Sequence, residues 1–459
     1  MSPIVIKFGG TSVQDATAMS RAIGIVAERS PLRPVVVVSA LAGVTNALVE
    51  ATDLAVRGEI DEAQKRIDLV RERHEGIGYE LIGQKADFYA SFLAHLRKHT
   101  GQLTDILRGA ALVGDASART RDKVVAIGEK LSSVLFSYTM RTKTLVGIHV
   151  DSENVIVTDE KFGDASPIME ATREAARTTL LPELERNHIP VMGGFFGRSQ
   201  HGATTTLGRG GSDYSAAIVG ASIDAEEIQI WTDVDGMMTT DPRLIPGARV
   251  IDLISYAEAA ELASFGAKVL HPKTIAPAVQ REIPIRVLNT HNPSARGTLI
   301  TKEGNEGRGP RAIALKKGIS VVHVTADQML GAHGFLARIF EVFAAYQVSV
   351  DLVTTSEVSV SVTVDRQDRL DEVASALAGF SRVEIEKEMA VIALVGRDVI
   401  GNRAVAARAV GSLPDVPIAM LSIGSSRLNL SVVVPEADAP EALRRIHASV
   451  FELEGDASS

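Results

Sequence analysis

Short apolar runs rich in β-branched residues recur along the first 300 positions, separated by longer stretches of helical periodicity. Residues 3–8 predict a strand, broken at Gly9, Gly10, Thr11 and Ser12, with a helix following to about Glu28. Residues 34–39 (Pro-Val-Val-Val-Val-Ser) predict a strand buried on both faces, as in a parallel sheet. Further strands are expected at 144–150, 189–192 and 227–231, and residues 46–143 should be mainly helical. Strands interleaved with helices imply βαβ units and a mostly parallel sheet sandwiched by helices.

Near residue 300 the texture changes. Positions 301–311 are polar and glycine-rich, which suits a linker. Beyond them one order occurs twice. Strands at 319–325, 348–354, 358–365 and 382–386 alternate with helices at 334–346 and 369–378. A second set follows, with strands at 390–396, 418–424, 428–434 and 450–453 and helices at 403–411 and 439–448. Each set reads βαββαβ, the ferredoxin-like order. The expected fold class is therefore α/β followed by two such units. The expected division is 1–300, a linker at 301–312, a first small unit at 313–387 and a second at 388–448.

With 459 residues the chain is too long for one ordinary core. The net charge of −9 gives no default attraction to nucleic acid or to an anionic membrane. No cysteine is present, which removes disulfides, thiolate metal sites and cysteine nucleophiles and suits a cytoplasmic protein. No apolar run reaches the roughly 18 residues of a membrane span.

Five motifs carry candidate chemistry. Lys7-Phe8-Gly9-Gly10-Thr11-Ser12 ends the first strand. Its glycines permit close backbone approach, its N–H groups suit an anion, and Lys7 adds a full charge. The bland alternative is a strand–turn–helix junction with a solvated lysine. In the second motif, Thr204 to Asp213, a glycine-rich loop feeds an apolar helix that Ser212 or Asp213 would cap. Arg209 offers a fork for a carboxylate and Asp213 a partner for an ammonium; a simple cap and a surface charge are the alternative. Trp231-Thr232-Asp233-Val234-Asp235-Gly236 and the Thr239–Arg243 stretch close a buried strand, where α/β sheets bind ligands or merely turn. Lys268 in Phe265-Gly266-Ala267-Lys268 reaches a phosphate or snorkels, and the nearby His271 reads as structural. Gly128-Glu129-Lys130 is read as the opening of an apolar helix, with Glu129 either meeting its dipole or holding an ammonium. His95 and His99 lack the glutamate of a zinc motif and sit among Arg97 and Lys98, so they read as a solvated face. No G-x-S-x-G elbow is present.

Taken in order, these motifs resemble the aspartate kinases of the amino-acid kinase superfamily. Lys7 to Val13, Thr206 to Tyr214, Trp231 to Gly236, Phe265 to Pro272, Gly334 to Ala337 and Ser349 to Val358 carry the resemblance along essentially the whole chain. The layout is most similar to the monofunctional, lysine-sensitive class. The resemblance implies ATP and Mg²⁺ as cofactors, L-aspartate as phosphoryl acceptor, and tandem ACT domains that bind an amino-acid effector such as lysine or threonine and form a homodimer or tetramer. It implies no metal ligand among the protein side chains.

By the same resemblance Lys7, Arg209 and Asp213 are the catalytic residues. Thr11, Ser39, Thr45, Glu129, Phe195, Arg209 and Asp213 hold the substrate. Lys7, Gly9, Gly10, Ser12, Thr232, Asp233, Met238, Arg243 and Lys268 hold the nucleotide. Met329, Gly331, Ala332, Gly334, Phe335, Leu336, Ser349, Val350, Asp351, Thr355 and Ser356 line the effector site. In relatives the second ACT unit is inserted into the first, so 449–454 is expected to complete the first sheet. Two departures stand out. Met238 occupies a place where relatives carry tyrosine, and Gly331 and Ala332 replace a polar His-Ser pair, leaving Asp351 to bind an ammonium.

Overall fold

The computed structural model describes residues 2–266, 270–305, 307–326, 333–365, 367–399, 401–423 and 427–452. Contacts divide the chain into two compact units: Met1–Met237 with Leu270–Gly304, and Met238–Val269 with Asn305–Ser459.

The first unit opens with β1 (Ile4–Phe8), α1 (Ala16–Arg29) and β2 (Pro34–Val38). Four helices follow, α2 (Val44–Val56), α3 (Ile60–Ile82), α4 (Ala86–Val113) and α5 (Ala118–Thr142), then β3 (Gly147–Val150). Next come β4 (Val157–Thr158), α6 (Met169–Glu185), β5 (Ile189–Gly193), β6 (Phe196–Ser199), β7 (Thr204–Thr206), α7 (Gly211–Ser222) and β8 (Ile228–Thr232). The chain then passes into the second unit, which holds β9 (Leu253–Ser255) and α8 (Tyr256–Ser264), before α9 (Pro272–Gln280), β10 (Ile285–Asn289) and β11 (Thr298–Thr301) complete the first.

The main sheet of this unit runs β3-β5-β2-β1-β8-β10-β11. It is parallel except for the antiparallel β10–β11 pair. Every residue of β1, β2 and β5 is buried, as helices on both faces of a parallel sheet require. Ile6, Phe8, Val36 and Val38 share a core with residues of α1 to α5, including Met19, Leu48, Phe92 and Phe136. Parallel strands all point the same way, so the carboxyl ends of β1, β2 and β5 meet at one rim.

The second unit continues with β12 (Gly309–Thr325), α10 (Phe335–Ala345), β13 (Val353–Thr355), β14 (Ser359–Val364), α11 (Leu370–Ala378) and β15 (Arg382–Arg397). It ends with α12 (Arg403–Gly411), β16 (Met420–Ile423), β17 (Asn429–Pro435) and α13 (Ala439–His447), followed by a π-helical turn at Ala448–Glu452. Its six strands form one antiparallel sheet ordered β13-β14-β12-β15-β17-β16.

This arrangement corrects several expectations. The linker expected at 301–312 overlaps strand at both ends, because β11 runs to Thr301 and β12 already begins at Gly309. The strand expected at 348–354 is only Val353–Thr355. The separate strands at 382–386 and 390–396 are one, β15. Of the segment 449–454 expected to complete the first sheet, residues 449–452 are helical, and 453 and 454 lie outside the described residues. The missing strand comes from the other end of the unit. β12 breaks register between Lys316 and Ile319, beside Gly318 at φ 72° and opposite Glu388 at φ 56°. Its later half pairs with β14 and with β15 at 382–389; its earlier half pairs with β15 at 391–397. The earlier half therefore supplies the fourth strand of the second βαββαβ unit.

The residues after Met237, counted within 1–300 from sequence, also divide differently. Ile245 packs in a core with Ile392, Leu443 and Val450, and Asn429 donates to Glu261 of α8 at 2.9 Å. Met238–Val269 thus belongs by contact to the second unit.

Candidate functional site

A cavity of about 580 Å³ opens at the carboxyl rim of the parallel sheet in the first unit. Lys7 reaches it from β1, Ser39 and Ala40 from the end of β2, Phe195 from the β5–β6 turn, Arg209 from the β7–α7 loop and Asp213 from the first turn of α7.

Two helices start at this cavity without a side-chain cap. α2 begins after Gly43 and α7 after Gly210, whose φ is 71°. The first amides of a helix have no partner within it, and the helix dipole adds partial positive charge there. Uncapped ends on a shared cavity give it a row of free donors for an anion. Ser212 and Asp213 were expected to cap α7. They lie instead inside its first turn, because Gly210 takes the left-handed cap position that side chains rarely adopt.

Asp213 is free of capping and pairs with Lys7, its Oδ1 2.5 Å from Nζ. Lys7 is only 8% exposed. Arg209 is exposed on the cavity rim and has no carboxylate partner among the described residues. Ser39 and Thr45 line the same space, Thr45 in the first turn of α2.

Glu129 stands in the middle of α5, not at a helix start, so the dipole reading fails. It is buried, lines the cavity, and its Oε2 has no hydrogen-bond partner. Burial pushes its carboxyl up to about 8, against backbone hydrogen bonds from Ala40 and its own amide that favour the charged form. The acid is thus held neutral at neutral pH with one oxygen unpartnered.

The other predicted positions are spread more widely. Gly10 lines the cavity, and a Cβ there would stand 2.9 Å from the Ala40 carbonyl oxygen. Gly9 sits beside Lys7 and donates to Trp231 O at 3.3 Å. Thr11 is exposed and does not line the cavity. The Ser12 hydroxyl is buried against Thr290 Oγ1 at 2.8 Å and does not line the cavity. At the end of β8 the Thr232 hydroxyl donates to Asp233 Oδ1 at 3.1 Å. In the second unit Met238 bridges to Val250, and Arg243 is exposed and paired with Asp241 at 2.6 Å. Lys268, Met329, Gly331 and Ala332 lie outside the described residues.

Among the remaining effector positions, Gly334, Phe335 and Leu336 start α10, Ser349, Val350 and Asp351 precede β13, Thr355 ends it and Ser356 follows it. Asp351 is not open to a free ammonium. Lys316 Nζ lies 2.6 Å from its Oδ2 and 3.1 Å from Asp365 Oδ2. His271 caps α9 by accepting from the Lys273 amide, a structural role. His95 Nδ1 lies 2.9 Å from Ser91 O and His99 Nδ1 3.3 Å from Gln102 Oε1.

Asp122 is the residue that sequence reading missed. Buried on α5, it accepts from the Thr206 amide at 2.9 Å, the Thr206 hydroxyl at 2.7 Å and the Gly163 amide at 3.0 Å. It thereby anchors β7 immediately before the loop that carries Arg209. The signal was its spacing: Asp122 precedes Glu129 by two helical turns and shares its face.

Known proteins resemble this chain over 98% of its length. The amino acid kinase family matches residues 2–289, and the ACT domain matches residues 322–378 and 392–450. The chain is 38% identical to lysine-sensitive aspartokinase 3 of Escherichia coli (strain K12), covering 98% of this chain and 100% of that protein. It is 34% identical to chloroplastic aspartokinase 2 of Arabidopsis thaliana, covering 98% of this chain and 84% of that one. Among solved structures, E. coli aspartokinase III in complex with aspartate and ADP (R-state) superposes with a TM-score of 0.84 at 37% identity, over 98% of this chain and 100% of that one. The same enzyme in complex with lysine and aspartate (T-state) gives 0.82 at 38% identity, over 98% and 99%. The chain belongs to the amino acid kinase family, in its aspartokinase branch with ACT domains.

Proposed function

We propose that the cavity at Lys7 transfers the γ-phosphoryl group of ATP to the β-carboxylate of L-aspartate. The observation that carries this reading is the gathering of Lys7, Arg209, an open Glu129 and two uncapped helix starts on one cavity. The aspartate β-carboxylate is itself the nucleophile, so no protein base is required. One of its oxygens attacks the γ-phosphorus, and the bond from that phosphorus to the bridging oxygen of ADP breaks. Charge accumulates on the transferring oxygens, and positioning with fixed positive charge meets that need.

Lys7 supplies the full charge, and Asp213 holds its ammonium in place. The free amides of α2 and α7 supply partial charge. Arg209 clamps the α-carboxylate with its planar fork. Glu129 takes the substrate ammonium and ionises as it does so. Ser39, Thr45 and Phe195 complete the wall. Gly10 lets backbone lie where a side chain would strike Ala40. We assign nucleotide contacts to Thr232, Asp233, Met238 and Arg243, and to Lys268 beyond the described residues.

Among the described residues no group of three or more His, Asp or Glu forms a metal cage. Mg²⁺ would be carried on the nucleotide phosphates, where a hard cation neutralises charge when bound. The ACT units carry an amino-acid effector and join copies into a homodimer or tetramer. Val353 of β13 and Leu421 and Ile423 of β16 leave apolar surface at the sheet edges for such joining. No helix among the described residues is long and apolar enough to cross a membrane, and a cysteine-free chain suits the cytoplasm.

Trapping the acyl phosphate with hydroxylamine tests the reaction. ATP consumption and hydroxamate should appear together with aspartate and be absent with glutamate or N-acetylglutamate. Hydroxamate from another acid alone, or none from any, overturns the assignment.

A further inference from the structure

The second unit holds its own cavity, of about 440 Å³. One wall is the loop from Thr239 to Leu253, another is Pro310 and Arg311 at the start of β12, and a third is His447 at the end of α13 with Phe451 in the turn after it. The side chain of Arg311 is 17% exposed. One of its terminal nitrogens donates to the Gly307 carbonyl, but its Nε has no hydrogen-bond partner. The nearest carboxylate oxygen, Oε1 of Glu258, lies 3.8 Å from Nε, beyond hydrogen-bond range. Glu258 is held where it is. Its Oε2 accepts from the Ser255 amide at 3.0 Å and the Ser255 hydroxyl at 2.6 Å, closing the capping box of α8. A buried guanidinium donor is thus left without an acceptor at the edge of a cavity, where such groups are normally bonded. Arg249 brings a second guanidinium to the same space, and Asp252 an acid.

We propose that this cavity binds a small carboxylate of amino-acid size, with its anion on Arg311 and Arg249 and its apolar body against Pro310 and Phe451. The occupant leans on a segment with a second task. The Thr239 amide donates to Arg249 O at 2.8 Å, and the Thr239 carbonyl accepts from the Ile313 amide at 2.7 Å. Met238, the residue before it, bridges to Val250. Binding therefore stiffens the loop that carries Met238 and Arg243. The chemistry fits a zwitterion, with its ammonium on Asp252, and equally a simple carboxylate.

Calorimetry on the full chain separates the two, with L-leucine and its ammonium-free counterpart 4-methylpentanoate as probes and inorganic phosphate as control. Saturable binding of at least one carboxylate probe is expected. It should weaken about tenfold or more in Arg249→Ala and in Arg311→Lys, each of which removes a charge-assisted bond. It should persist in Arg209→Ala, which disables the other cavity. Binding of both probes assigns a simple carboxylate, and of L-leucine alone a zwitterion. If Arg311→Lys fails to fold, Arg249→Ala decides, because Arg249 is exposed. No saturable binding of either probe below ~10 mM, binding of phosphate alone, or affinity unchanged in Arg249→Ala overturns the proposal.

Discussion

Each unit contains a lysine sunk among its elements and paired with aspartate, and the two pairs are built differently. Lys7 meets one carboxylate, Asp213, and around that pair stand Arg209 and two uncapped helix starts. The balance there is positive, and an anion completes it. Lys316 meets two carboxylates, Asp351 and Asp365, with no such surplus around it. Burial works to lower the Lys316 pKa, yet hydrogen bonds and charge from Asp351 and Asp365 outweigh it and hold the group above its ordinary value. The first lysine is arranged to act on something that arrives. The second is already satisfied and ties the register break of β12 to the segment before β13.

Replacing the two lysines breaks that contrast most directly. Lys7→Ala should lower turnover by at least about 100-fold, the scale of one electrostatic donor. ATP affinity by calorimetry and the far-UV spectrum should stay near those of the parent. Near-normal turnover would remove Lys7 from its role. Next in size, Arg209→Ala should raise KM for aspartate by about 10- to 100-fold with a smaller change in kcat, as loss of a charge-assisted pair implies. Steady-state kinetics over aspartate at saturating ATP reads this.

Glu129 sharpens the comparison through pH. Its carboxyl titrates near 4.5 when unfolded and near 8 when folded. Between those values the unfolded chain has released a proton that the folded chain still holds. Stability from this group is therefore complete below about 4.5 and is lost as pH rises to about 8. Glu129→Gln should flatten that part of the melting-temperature profile. It should also raise KM for aspartate by about tenfold and remove the fall of KM expected as pH passes through 8. A parallel pH profile in parent and variant would show that Glu129 does not titrate there.

Lys316→Met should act on stability and leave basal turnover unchanged. It strands two carboxylates in a partly buried place, and denaturant titration should show a loss of about 1–2 kcal/mol. That contribution is full at neutral pH and is lost only as pH rises through the raised lysine pKa. The smallest effect is expected from Met238→Tyr, which adds an aromatic hydroxyl to the loop we assign to the nucleotide. KM for ATP should fall by about threefold, the scale of one modest contact, with kcat unchanged.

The parts of the molecule that could be read from sequence follow from their local physics. Pro34–Val38 is buried on both faces, and nothing but a covered parallel sheet explains such a run. The glycine loops announced the rim where Lys7, Arg209 and Asp213 meet, because local composition dictates a local turn. Long-range pairing was not readable. Nothing in the composition of residues 309–316 says that they complete a sheet whose other strands begin more than 70 residues later. Register between distant strands depends on partners that no local window contains. The same holds for Lys316. Its charge was visible, but its capture of Asp351 depends on β12 running past the segment before β13. Glu129 was misread as the opening of a helix because α5 starts 11 residues earlier, at Ala118, where Ser117 supplies the cap.

One structure decides most. With aspartate and a non-hydrolysable ATP analogue bound together, both ligands should lie in the Lys7 cavity. The Lys7 ammonium should be within about 4 Å of a γ-phosphate oxygen, and the Arg209 guanidinium should be forked onto the aspartate α-carboxylate. Ligands in separate cavities, or a γ-phosphate remote from Lys7, would contradict the kinase site as drawn.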